Sequence, residues 1–260
     1  AQCLVGSEMC IRDSGITDHA PILESFMTAE EYKKNWCEQN MKMDIIPQYL
    51  KDIEIAKNKY GRQIKILSGF ESEFIKKQIS FYQELRTQVD YLNLGVHYFE
   101  YNGSIYNSYS EVDYHTLDGY VDTAIQGMKS GLFNTLVHPD LFMFSYKNIN
   151  HQRKFDDYCV RATRRICEAA IKYNVYLEVN ANGLKNSVLF GDSKDWLYPF
   201  KDFWEIAREY KDLKIIIGAD AHDPNHLANE NVEAVCKFCE DLGLNISCLL
   251  YTSDAADDRI

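Results

Sequence analysis

The chain has 260 residues, 46% of them hydrophobic and 26% charged, with 18 tyrosines and 13 phenylalanines, which is ample for one α/β domain with a sizeable core. Its formal net charge of −11 argues against the basic footprint that nucleic-acid binding requires. No apolar run approaches the roughly 20 residues of a membrane span, and eight cysteines without framework spacing read as the reduced thiols of a cytoplasmic protein.

Residues 1–14, AQCLVGSEMCIRDS, show neither helical nor strand periodicity, and neither do residues 248–260, CLLYTSDAADDRI. Both are read as non-native tails flanking a single domain over residues 15–247. Residues 15–17 read as the end of a strand. Helices are predicted over 29–40 and 43–59, with Pro47 marking a kink or boundary in the second. A strand over 64–69 is followed by a helix over 80–88 and a strand over 91–96. The tyrosine-rich residues 98–120 read either as a lid or substrate wall or as a loop packed on the domain. Beyond them come a helix over 117–130, a strand over 135–137 and a helix over 152–173. In this last helix Phe155, Tyr158, Cys159, Ala162, Ile166, Ala169 and Ala170 recur at helical spacing. A strand over 175–179, a helix over 199–210, a strand over 215–218 and a helix over 229–242 complete the pattern. Short, continuous apolar strands alternating with helices imply a parallel sheet buried on both faces.

The end of each strand carries chemistry. His19 closes ITDH, Glu71 follows ILSGF, and His97 closes LNLGVH. His138 follows NTLV, Glu178 and Asn180 lie in YLEVNANG, and Asp220 and His222 lie in GADAH. In an α/β barrel the carboxyl ends of the strands share one rim, so residues far apart in sequence converge there. One histidine after a strand is usually structural, Asp220 alone would serve as a helix cap before Pro224, and Glu71 alone would pair with a lysine. Four of the seven histidines fall at strand ends, and that coincidence favours a shared site. Imidazoles, a carboxylate and an Asp-x-His pair together suit Zn²⁺, Mn²⁺ or Fe²⁺. His115, His151 and His226 are read as solvated. Cys236 and Cys239 form a lone Cys-x-x-Cys within a helical pattern and read as packed thiols. No phosphate-binding GxxxxGK[ST], GxGxxG or GxSxG motif is present.

In order and spacing, ITDHAP, GFESEF, LGVHYF, VHPDLF, LEVNANGL and GADAHDP resemble the PHP (polymerase and histidinol phosphatase) superfamily. They are most similar to its stand-alone histidinol-phosphatases, over residues 15–247. The resemblance implies a distorted (β/α)7 TIM-like barrel holding two to three divalent metal ions, and hydrolysis of the small-molecule ester L-histidinol phosphate in histidine biosynthesis. It implies that Glu71 bridges two metals and that His97 and His138 complete one of them. Asp220 would bind the neighbouring metal, while His19 and His222 would share the third. A group near Asp220 or His222 would supply the catalytic proton, and Lys185 in NANGLK would meet the phosphate. Members of this family open with a His-x-His motif on a first strand, which this sequence lacks. The resemblance therefore implies a barrel without its first strand, with an unpaired edge and one metal reduced to Glu71 and Asp220. The residues leave other readings open. One is a related phosphoesterase acting on nucleotide or sugar phosphates. Another is an inactive metal-binding fragment. A third is a metal-dependent amidohydrolase, against which the absence of a lysine at a strand end counts.

Overall fold

The computed structural model describes residues 13–34, 41–185, 187–190, 193–223, 227 and 229–247. Residues 1–12 of the expected N-terminal tail 1–14 and the whole expected tail 248–260, together with residues 35–40, Pro224 and His226, lie outside the described residues. From the N-terminal side, β1 (Asp13–His19) leads to α1 (Ala29–Lys34), α2 (Ile46–Tyr60), β2 (Lys65–Ser72), α3 (Ile79–Gln88) and β3 (Tyr91–Leu94). A hairpin of β4 (Tyr98–Tyr101) and β5 (Ser104–Asn107) precedes α4 (Leu117–Lys129) and β6 (Thr135–Leu136). Then come α5 (Asp157–Tyr173), β7 (Tyr176–Asn180), a hairpin of β8 (Ser187–Phe190) and β9 (Ser193–Trp196), α6 (Lys201–Ala207), β10 (Ile215–Gly218) and α7 (Glu230–Leu242).

Six of the strands pair in parallel in the order β1-β2-β3-β6-β7-β10, curling into part of a barrel. Every residue of β7 and β10 is buried, which is why these strands are continuously apolar apart from their chemistry-bearing positions. Among the described residues β1 and β10 are the two edges, and Ile246 adds a single parallel bridge to Ile215. β1 starts at Asp13, two residues ahead of the domain boundary expected at Gly15, because its pairing with β2 continues through Asp13 opposite Lys65. The hydroxyl of Tyr49 on α2 ties that helix to the sheet by donating to the carbonyl of Gly69, 2.7 Å away.

Several boundaries depart from the sequence pattern for local reasons. Pro47 lies in the first turn of α2 and starts the helix rather than kinking it, since a first-turn residue needs no backbone donor. α5 begins at Asp157, not 152, because the Asp156 carboxylate caps it by accepting the N–H groups of Tyr158 and Cys159. The residues before it are held out of the helix by Asn148, whose Oδ1 accepts the Gln152 N–H at 3.0 Å. α6 stops at Ala207, where the hydrogen bonds tighten to the shorter i→i+3 pattern. The tyrosine-rich segment is neither a simple lid nor an irregular loop. Its first part is a two-residue hairpin turned by Asn102 and Gly103, both at positive φ, and packed on α4. Cys236 and Cys239 lie on α7 with Cys239 buried, as expected of packed thiols.

Candidate metal centre

The parallel register sets His19 at the end of β1 beside Glu71 on β2. The loops after β3 and β6 bring His97 and His138 to the same place. His97 Nε2 and His138 Nε2 each lie 3.1 Å from Glu71 Oε1, and they lie 3.1 Å from each other. Ligand atoms about 2.05 Å from a tetrahedral zinc would be about 3.3 Å apart, so this triangle has the size of a cation's coordination shell. Glycine at position 95 permits the closure, since a β-carbon there would fall 2.4 Å from Glu71 Oε1 and 2.8 Å from the His97 ring. His138 holds a positive φ of 34°, a strained backbone that turns its ring inward at the start of the HPD loop.

Glu73 completes the arrangement around His97. Its Oε1 lies 2.6 Å from His97 Nδ1, and its Oε2 accepts the backbone N–H groups of His97 and Tyr98. With Nδ1–H donated to a carboxylate, Nε2 is the nitrogen aimed at Glu71 and His138, the usual arrangement behind a metal-ligating histidine. Burial disfavours charge on His97, but Glu73 and Glu71 outweigh it and hold the imidazole well above its ordinary pKa. Burial likewise opposes ionisation of Glu71, and His97, His138 and His19 together hold it well below the carboxylate range. A divalent cation would take the place of the His97 Nε2 proton between the same partners. The donor set therefore fits a metal ion.

His19 extends the cluster. One nitrogen each of His19 and His97 and a Glu71 oxygen lie within 4.8 Å of one another. The His19 ring centroid is 5.5 Å from that of His97 and 5.9 Å from that of His222. Asp220, at a positive φ of 45°, stands beyond β10 with its Oδ1 3.5 Å from His222 Nδ1. Thr17, Asp18, His19, Glu71, Asp220, Ala221 and His222 line a cleft of about 240 Å³. The structure thus brings His19, Glu71, His97, His138, Asp220 and His222 to one rim. Lys185 lies apart from these contacts, exposed at the end of the turn Asn182–Lys185. His115 and His151 are exposed, as expected of solvated side chains.

Sequence reasoning missed several residues here. Glu73 gave no signal separable from its neighbour Glu71 in GFESEF. Asp140, in VHPD, is fully buried and accepts the Phe200 N–H at 2.6 Å and the Trp204 Nε1–H at 3.0 Å, latching the His138 loop to α6. Burial pushes its carboxyl up to about 6. Glu178, noted only as a strand-end carboxylate, is fully buried with one oxygen unpartnered. Burial, then the charge of Asp220, pushes it up to about 8. Aromatic rings close the other side: Tyr109 stacks on His97 with centroids 5.8 Å apart, and Tyr198 meets His138 edge-on at 5.9 Å. Tyr109, in the middle of the tyrosine-rich segment, therefore forms part of the site wall.

Among the described residues no helix is long and apolar enough to cross a membrane. No curated protein sequence matches the chain. Among solved structures, a proposed histidinol phosphatase from Listeria monocytogenes is similar at 20% identity with a TM-score of 0.62, covering 84% of this chain and 87% of that one. Histidinol phosphate phosphatase from Lactococcus lactis, solved with zinc, L-histidinol and phosphate, is similar at 15% identity with a TM-score of 0.53, covering 77% of this chain and 75% of that one. At these identities the likeness speaks to the fold, a distorted TIM-like barrel. A family model of the PHP domain matches residues 7–182, more than half of the 260 residues, and the chain belongs to the PHP domain family.

Proposed function

We propose that the chain is a metal-dependent phosphomonoesterase whose substrate is L-histidinol phosphate, cleaved to L-histidinol and phosphate. One observation carries the reading: Glu71, His97 and His138 present an oxygen and two nitrogens at mutual distances of 3.1 Å, beside His19, Asp220 and His222. Glu71, His97 and His138 would hold one cation, His19 and His222 a second, and Glu71 with Asp220 a third, drawn from zinc, manganese or iron. Such ions supply a hydroxide-like nucleophile near neutral pH and neutralise phosphoryl charge. An acidic group beside Asp220 and His222, which line the mouth of the cleft 3.5 Å apart, would hand a proton to the departing alkoxide. Lys185, on the turn that follows β7, would meet the phosphate from the solvent side.

The similarity to a phosphatase solved with L-histidinol supports the choice of ester. The test is phosphate release by the manganese- or zinc-loaded chain from L-histidinol phosphate, compared with nucleotide, sugar and simple alkyl phosphates. A preference of at least tenfold in kcat/KM for L-histidinol phosphate is expected. Equal rates on all the esters would remove the substrate assignment, and no release from any would remove the phosphatase.

A further inference from the structure

β7 supplies none of the six cation-facing residues, although it lies between β6 and β10, which carry His138 and Asp220 at their ends. Its own end is nevertheless densely wired. Asn180 Nδ2 donates to Asp220 Oδ2 at 3.1 Å, and Asn182 Nδ2 donates to the same oxygen at 3.2 Å. The orientation of Asn180 is fixed, because its Oδ1 accepts the backbone N–H groups of Asn182 and Gly183 at 2.9 and 3.3 Å. A flipped amide would set N–H against N–H. The second Nδ2 hydrogen of Asn180 goes to Glu178 Oε2, which also accepts the His138 N–H. Gly218, opposite Asn180 in the β7–β10 register, leaves the space that Glu178 fills, since a β-carbon there would lie 1.7 Å from Glu178 Oε1.

We propose that Asn180 and Asn182 are positioning residues, an amide clamp that saturates Oδ2 of Asp220 and leaves Oδ1 as its cation-binding atom. This rests on the metal-dependent reading above. Two N–H donors occupy both lone-pair directions of Oδ2, so only Oδ1, facing His222, is free to ligate. The clamp also holds Asp220 in a left-handed backbone conformation that aspartate seldom adopts unaided. Amides suit the task because Glu71, Glu178 and Asp220 already crowd the site with carboxyl groups. A cationic donor, lysine or arginine, would orient Asp220 equally well but repel the incoming cation.

The test is a Co²⁺ titration of the wild type, Asn182→Ala and Asn182→Leu, followed by visible absorption and by elemental analysis after dialysis. Circular dichroism and melting in EDTA report the fold of each protein. Asn182 is only half-buried, so its replacements disturb packing little. The clamp predicts that both variants melt like the wild type in EDTA. It also predicts that they bind the ion at Asp220 ten- to a hundredfold more weakly, with an altered visible band. Wild-type affinity and spectrum in the folded variants would overturn the clamp, as would loss of folding in both, which would make Asn182 a structural residue. A wild type that binds no cobalt would overturn the metal-dependent reading itself.

Discussion

Glu73 shows how much of the chemistry rests on one unannounced carboxylate. It faces three N–H donors, from His97 Nδ1 and two backbone amides, and it is buried. Glu73→Gln keeps the shape but turns an N–H₂ group toward at least one of those donors. Cation affinity should fall at least tenfold, measured by isothermal titration with Zn²⁺, while an unchanged affinity would detach Glu73 from the site. Asp90, far from the centre, offers a test by pH. Burial would raise its pKa, but the Ser68 N–H and the Lys57 ammonium hold it below the ordinary value of 3.8. A depressed carboxyl contributes stability that is complete above its unfolded pKa and is lost as pH falls through the folded one. Asp90→Asn should therefore cost about 1 kcal/mol in urea unfolding at pH 7, screened by its partial exposure, and much less near pH 2. The six strand-end residues were legible because position after an apolar run is a one-dimensional signal. Glu73, Asn182 and Asp140 were not, because their value depends on which side chain faces which neighbour.

At the level of single elements, the helices were read from periodicity and their ends were not. The apolar stripe of α5 continues to Phe155, so nothing in hydrophobicity marks the true start, which the Asp156 cap decides. Asp156 also accepts the Tyr146 hydroxyl at 2.9 Å. Asp156→Ala should destabilise the protein by about 1 to 2 kcal/mol, seen as a lower urea midpoint with an unchanged slope. The β4–β5 hairpin was announced by Asn102-Gly103 between strand-forming residues, a turn signal overlooked among the tyrosines. The helices also set thiol reactivity. Burial pushes Cys159, Cys167 and Cys239 up to about 12, and Cys236, only half-buried, is raised as well. Iodoacetamide at pH 8 should label Cys236 well before the other three, read by peptide mass spectrometry. Equal labelling would mean that the helices open faster than the packing implies.

Over the whole molecule, an open curl of six parallel strands gathers residues as far apart in sequence as His19 and His222 on one rim. The alternation of strand and helix made that architecture readable in advance. The β8–β9 hairpin and the single Ile246 bridge were not readable, because such short pairings carry too few residues for a period. Because Glu71, His97 and His138 come from three different strand ends, a shared cation would bind the folded chain and not the unfolded one. Saturating Zn²⁺ at a hundred times its dissociation constant should add about 2.7 kcal/mol to stability, and EDTA should remove it.

The convergence itself is tested most directly by crystals grown with Zn²⁺ and an anomalous difference map at the zinc edge. The account predicts a peak within about 2.2 Å of His97 Nε2, His138 Nε2 and a Glu71 oxygen. A map with no peak among these three side chains, whatever zinc it shows elsewhere, would contradict it.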